Sequence, residues 1–266
     1  MDRFDGVGGI TAAVATALVL TAACGAADVF HMPAGRTSLE LVVVSAPGNP
    51  PDVNDRGAVA YPYQIGRYEV TTGQWVEFLN AKAKSDRDGG LWNNDMDTVL
   101  SGPGIRCDIR REGEPGGFVH TVAGERANRP VTHVSFLDAC RFCNWLHNGQ
   151  GDGDTETGAY TLAGYNGTDG RRICRNPDAR YFVPSDDEWY KAAYYDPGNG
   201  TGGMYWRYPV RSDEPPDWDR ESPHGANVYR DGLYDADAFF TDVGHFHAAV
   251  GPWKTCLLYT SDAADE

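Results

Sequence analysis

The run Pro184-Ser185-Asp186-Asp187-Glu188-Trp189-Tyr190-Lys191-Ala192-Ala193 constrains the chain most, because it carries the chemical marks of a helix start one after another. The Ser185 hydroxyl is placed to accept from the free N–H three residues on, and the Glu188 carboxylate to accept from the Ser185 N–H, the reciprocal pair of a capping box. Asp186, Asp187 and Glu188 stand where the helix dipole is positive, and Pro184 keeps the residue before it extended. The spacing predicts a helix from Ser185 or Asp186. Val134-Ser135-Phe136-Leu137-Asp138-Ala139 predicts a second start, with Ser135 as cap and Asp138 in the reciprocal position. Glu69-Val70-Thr71-Thr72-Gly73-Gln74-Trp75 predicts a third, capped by Thr71 or Thr72.

Between these starts the pattern is one of short strands and turns. Leu39 to Ser45 is an apolar, β-branched run that the Pro47-Gly48-Asn49-Pro50-Pro51 breaker ends, and Tyr63 to Val70 is a second strand-like stretch. The first helix, Gly73 to about Lys84, puts Trp75, Val76, Phe78 and Leu79 on one broad side. Gly104 to Val122 reads as a hairpin about the Glu114-Pro115-Gly116-Gly117 turn, with Ile105, Cys107 and Ile109 alternating on its first arm. A helix from Phe136 to His147 follows, and Tyr160-Thr161-Leu162 and Tyr181-Phe182-Val183 are further strand candidates. Asp196 to Asp219 is a long aromatic loop of the kind that packs over a core or lines a cleft. The expected fold is α+β, one loop-rich domain with short strands and three principal helices.

The order and flanks of the three helix starts are more specific than any one of them. Glu69-Val70-Thr71, then Arg129-Pro130-Val131 leading into Val134-Ser135-Phe136 with Asp138-Ala139 and Cys143-x-Trp145, then Val183-Pro184-Ser185 with Glu188-Trp189 and Ala192-Ala193, resembles the formylglycine-generating enzyme (sulfatase-modifying factor) family. The likeness covers about Leu39 to Trp253, and the tract Tyr190 to Asp196 resembles an exported bacterial branch of that family. The resemblance implies a C-type-lectin-like scaffold and, for a complete catalytic member, a copper- and oxygen-dependent oxidase that converts a cysteine of a sulfatase to formylglycine. It also implies a protein partner, a sulfatase-like substrate or another exported protein. The same scaffold serves non-catalytic ligand-binding modules, so both function classes stay open. The family's two copper-binding cysteines follow a G-N-x-W-E-W segment that this sequence does not reach, so the chain is expected to be truncated and inactive.

Charge narrows the partners. Lysine and arginine total 23 against 38 acids, a net charge of −15, which repels a phosphate backbone and disfavours nucleic acid. Val7 to Ala27 is an apolar, alanine-rich run after Arg3, ending in the small residues Gly25 and Ala27, as at a signal-peptidase cut. Residues 1–27 are therefore expected to be a signal peptide and 28–254 an exported domain with no transmembrane segment. Residues 255–266 read as a non-native tail, and Cys256 within them as a bystander.

The remaining candidate chemistry is sparse. Export would permit disulfides among Cys107, Cys140, Cys143 and Cys174, Cys107 with Cys174 being favoured and the pairing left open. Cys140-x-x-Cys143 has the spacing of a redox or zinc pair, but its i, i+3 placement with Phe136, Ala139 and Leu146 is that of core cysteines. His120, His133 and His147 read as surface residues, and His245-x-His247 as a same-face pair on a strand. Asp152, Asp154 and Glu156 suggest a calcium loop, yet Thr157 and Ala163 stand where an EF-hand needs glycine and glutamate. The resemblance implies one metal site: calcium held by the Asn227 side chain, the Val228 carbonyl, Asp235 and Asp237, with further ligands near Asp242-Val243-Gly244.

Overall fold

The computed structural model describes residues 36–85, 90–97, 107–165, 167, 170–200, 202–228 and 240–256. They form an α+β fold of three helices and three separate two-stranded antiparallel sheets. Strand β1 (Leu41–Val44) pairs with β2 (Tyr63–Gly66), and the chain then enters helix α1 (Thr72–Lys82). The hairpin of β3 (Ile109–Glu112) and β4 (Val119–Val122) precedes helix α2 (Phe136–His147). Helix α3 (Asp186–Tyr194) runs directly into β5 (Tyr195–Asp196), which pairs with β6 (Met204–Tyr205). Among the described residues no helix is long and apolar enough to cross a membrane.

All three helices begin where their caps predict. Thr71 is the cap of α1: its hydroxyl accepts from Gln74 N at 3.2 Å while Gln74 Oε1 accepts from Thr71 N at 2.8 Å. Thr72, the other candidate, instead donates its hydroxyl to the Arg129 carbonyl at 3.1 Å. Ser185 and Glu188 complete the same reciprocal box at α3, at 3.1 and 2.7 Å. At α2 only half of the box forms. Ser135 Oγ accepts from Asp138 N at 3.2 Å, but the Asp138 carboxylate accepts from the Ser135 hydroxyl at 2.6 Å and not from the Ser135 N–H, because aspartate is one methylene shorter than glutamate.

The core forms around α2, in which every residue from Leu137 to Leu146 is buried. One side meets α1 through an aromatic nest, with Phe78 between Trp75, Phe142 and Trp145 at centroid separations of 5.1, 5.3 and 5.2 Å. The other side, Leu137, Cys140 and Cys143, joins β1, β2 and Ala192 of α3 in a second cluster. The expected apolar face of α2 is corrected at one position: Phe136 is 42 % exposed at the first turn, and Leu137 is buried in its place. Arg141 is also buried, which its partners explain, since it reaches Glu156 at 2.7 Å, Asp138 at 3.3 Å and the Tyr165 carbonyl at 3.0 Å. Glu156 therefore braces a helix. Asp154 is spent on its own turn, accepting from Glu156 N and Thr157 N.

Helix α3 organises the remainder. The fully buried Glu188 carboxylate accepts from Ser185 N, from Tyr61 OH at 2.6 Å and from Arg175 Nη1 at 2.9 Å, while its backbone carbonyl accepts from Tyr63 OH. The same helix clamps a strap, residues 46–57. Lys191 Nζ donates to the Ala46 carbonyl at 2.8 Å and Tyr190 OH to Asp52 at 2.8 Å. Asp186 binds Arg56, and Asp187 accepts from Gly57 N at 2.7 Å.

Four expected strand assignments are corrected. Among the described residues the hairpin begins at Ile109, so Cys107 precedes its first strand, where Asp108 at φ +54° turns the chain; Gly104 and Ile105 lie outside the described residues. Tyr160 forms only an isolated bridge with Arg175, and Tyr181 to Val183 pairs with no strand. Thr241 to Val250 contains turns, so His245 and His247 do not alternate along a strand.

Removing the Ser185 hydroxyl should cost about 1 kcal/mol, as lost N-caps do. Glu188→Ala should cost roughly 3 kcal/mol or more, because it leaves Arg175, Tyr61 and the Ser185 N–H facing a void. Urea unfolding of the two variants checks the order. Equal losses would mean that the carboxylate acts only as a cap.

Candidate cleft at Glu69

Where β2 ends, the chain crosses from sheet to helix in five residues, and three other segments gather along it. Residues 127–131 lie beside it through Gly73 N to Ala127 O, Thr72 N to Arg129 O and Val131 N to Val70 O, at 2.8, 2.8 and 2.9 Å. Val243 N donates to Asn128 O at 2.8 Å, bringing in the turn at 241–245, and Cys256 N donates to Arg67 O at 2.7 Å. Between them is a cleft of about 330 Å³ whose polar lining includes Glu40, Tyr68, Glu69, Gln74 and Asn128. A second cavity shares Glu69 and Val243 with it and carries Asn227, Thr241, Asp242, His245 and Cys256. Gly244 is required at the junction: it sits at φ +74°, and a Cβ there would come within 3.2 Å of the Tyr68 ring.

The charged lining of the two cavities is mainly acidic, and two neighbouring arginines, Arg67 and Arg129, each face a carboxylate of that lining. Glu69 is 8 % exposed and borders both cavities. Arg67 binds Glu40 at 2.7 Å, which holds its guanidinium above its ordinary range, and lies 5.3 Å from the Tyr68 ring centre. Burial pushes the Tyr68 phenol up. Arg129 approaches Asp242 at 3.7 Å. Burial, helped by Arg220, holds the His245 imidazole below its usual value, against the pull of Asp242.

Of the residues implied for calcium, Asn227 lines the second cavity together with Thr241 and Asp242. The Val228 carbonyl accepts the Trp218 indole N–H at 2.9 Å, and Asp235 and Asp237 lie outside the described residues. Among the described residues no three His, Cys, Asp or Glu side chains are grouped to hold a metal ion. Glu69 was visible in the sequence only as part of a helix-start motif. Its burial at the junction depends on segments 60 and 170 residues away in the chain, which no local pattern registers.

The histidines and cysteines take different places from those expected. His120 is 1 % exposed, not on the surface, its backbone locked to the Asn80 side chain at 2.7 and 2.9 Å. His247 faces Glu221 at 3.4 Å and His245 packs edge-on to Phe246. Cys107 and Cys174 are both free: the first is buried against the Met96 and Thr132 carbonyls, the second exposed. Cys140 and Cys143 are core residues, their thiols raised by burial, Cys140 to about 12. Thr255 and Cys256, expected in the tail, are packed; Thr255 Oγ1 donates to the Ala192 carbonyl at 3.2 Å, and burial raises the Cys256 thiol.

The sequence that builds this cleft matches a known domain family. The chain belongs to the sulfatase-modifying factor enzyme 1-like domain family, which it matches over residues 26–251. It is also similar to the hercynine oxygenase of Mycobacterium tuberculosis (strain ATCC 25618 / H37Rv), at 25 % identity over 165 residues. That match takes in 58 % of this chain and 28 % of the oxygenase, so the chain spans little more than a quarter of that relative's length. No solved structure matches the chain significantly.

The burial of the thiols sets their reactivity. In the native protein at pH 8, iodoacetamide should modify Cys174 while Cys107, Cys140 and Cys143 react at least about a hundredfold more slowly, since only the thiolate attacks. Peptide mass mapping reads this directly, and denaturant should make all four equal.

Proposed function

We propose that this chain is the substrate-holding part of a formylglycine-generating-type domain. Its cleft takes an extended segment of an exported protein, of which a sulfatase-like protein is the first class to test, and the chain as it stands does not oxidise what it holds. The parent protein would be an oxidase of the copper- and oxygen-dependent kind. The name of the similar oxygenase supports an oxidative parent chemistry, and the cleft's size and its buried carboxylate, Glu69, support binding.

The observation that carries the inactivity is the distribution of thiols. Two-coordinate copper(I) needs a pair of accessible thiolates. Among the described residues one thiol, Cys256, lines the second cavity, and a single thiol does not make the pair. Cys140 and Cys143 are close on one helix, but both are fully buried and held protonated by burial. These donors do not fit copper. Incubated with copper, oxygen and a cysteine-containing sulfatase peptide, the chain should leave the peptide unchanged by mass spectrometry. Formylglycine in that peptide would overturn the proposal. Peptide binding, followed by fluorescence anisotropy, should weaken about tenfold in Glu69→Gln, the effect of losing a hydrogen bond to a charged group.

A second reading concerns calcium, favoured by the oxygen donors that Asn227, Thr241 and Asp242 bring to one cavity. The ion would be held by Asn227, the Val228 carbonyl, which keeps a second lone pair beside its bond to Trp218, and Asp235 and Asp237. Calcium should then raise the melting temperature, because an ion bound only by the folded state stabilises it. Calorimetric titration of the Asn227→Ala, Asp235→Ala double variant should lose the binding isotherm; an unchanged isotherm places the ion elsewhere.

A further inference from the structure

Lys191 is the one lysine of the described chain with no exposed surface, and it has no carboxylate partner. Its amine donates to the Ala46 carbonyl at 2.8 Å and otherwise faces two rings, Tyr63 of β2 and Tyr195 of β5, each with its centre 6.0 Å away. Lysine is almost never fully buried without a counter-charge, because its ammonium group loses far more hydration than one carbonyl and two ring faces return. The acids of its own helix are engaged elsewhere: Glu188 with Tyr61 and Arg175, Asp187 with Gly57 N, Asp186 with Arg56. Ala46 adopts φ +54°, a conformation unfavourable for alanine, at the residue where the strap leaves β1.

We propose that Lys191 is a pH-sensitive latch for the strap of residues 46–57, holding it more firmly when the amine is neutral than when it is protonated. A neutral amine keeps the hydrogen bond to Ala46 and no longer carries a charge that burial penalises. Loss of hydration on burial lowers its pKa from 10.5 to about 8. Opening the strap returns the amine to water and to its ordinary value. Between the two values the open form binds the extra proton, so strap stability rises with pH in that window and is lowest below it. While the strap is closed, the shifted groups around it titrate outside the window. Tyr63, Tyr190 and Tyr205, the last bonded to the Pro50 and Gly57 carbonyls, have phenols raised by burial; Asp52 has a carboxylate lowered by hydrogen bonds from Arg56 N, Asn54 and Tyr190, and Arg56 has a guanidinium raised by Asp186.

Trypsin cleavage after Arg56, which lies within the strap, tests the latch when its rate is divided by that of the free 46–57 peptide at each pH. In the full chain the normalised rate should fall about tenfold between pH 8.5 and 9.5. In Lys191→Met it should stay flat, while Tyr190→Phe should keep the wild-type slope. Parallel slopes in wild type and Lys191→Met would overturn the proposal. Where the Met variant does not fold, an NMR titration of the Lys191 Cε resonance in the wild-type chain decides the matter. An ordinary titration near 10.5 there would refute it.

Discussion

The buried carboxylate of Glu188 is the constraint on which the rest of the architecture depends. It is a charge with no exposure, tolerable only because four hydrogen bonds converge on it: one from its own helix cap, one from Tyr61 before β2 and two from Arg175 in the loop after α2. Those partners come from parts of the chain 127 and 13 residues away. The cap of α3 therefore places, within four residues, a buried carboxylate that Tyr61 and Arg175 then satisfy from elsewhere in the chain. The Tyr63 hydroxyl on the Glu188 carbonyl then fixes β2 to the same turn, and β2 leads straight to the cleft.

With three two-stranded sheets among its described residues, the fold has little ladder hydrogen bonding there to rely on. Side chains take over that role here. Asn144 ties α2 to the Thr155 carbonyl and the Tyr160 N–H, Asn148 spans the loop to Asp154 and Thr157, and Asp196 collects Gly198 N, Trp206 and Arg211. Loops held in this way are ordered without being regular, which is how a single domain of this family can present a cleft built almost wholly from connections. The cleft is accordingly a product of four chain segments, not of any one element.

The caps were legible because they are local: an Ser/Thr hydroxyl and a Glu/Gln three residues on decide a helix start within four residues. The failure at Asp138 was a matter of one methylene, and that of Phe136 a matter of which side of α2 the first turn meets. The strand candidates at Tyr160 and Tyr181 failed for a different reason. Their apolar alternation serves burial against α2 and α3, and burial on a loop needs the same residues as burial on a strand. Core cysteines at 140 and 143 followed from helical spacing, whereas the solitary burial of Cys107 did not, because it depends on carbonyls from residues 96 and 132.

By itself, then, the sequence determined the α+β class, the three helix starts, the acidic character and the family, since each is written in short-range spacing or in the order of motifs. Tertiary structure alone decided that Glu69 sits at the junction of two cavities, that Asn227 shares one of them with Asp242, and that Lys191 is sealed without a counter-charge. The physical reason is that burial and hydrogen-bond supply are set by which distant segments meet. A lysine three residues after a buried glutamate looks like an ion pair in sequence; only the folded chain shows the glutamate already taken by Arg175 and Tyr61 and the lysine left to a single carbonyl.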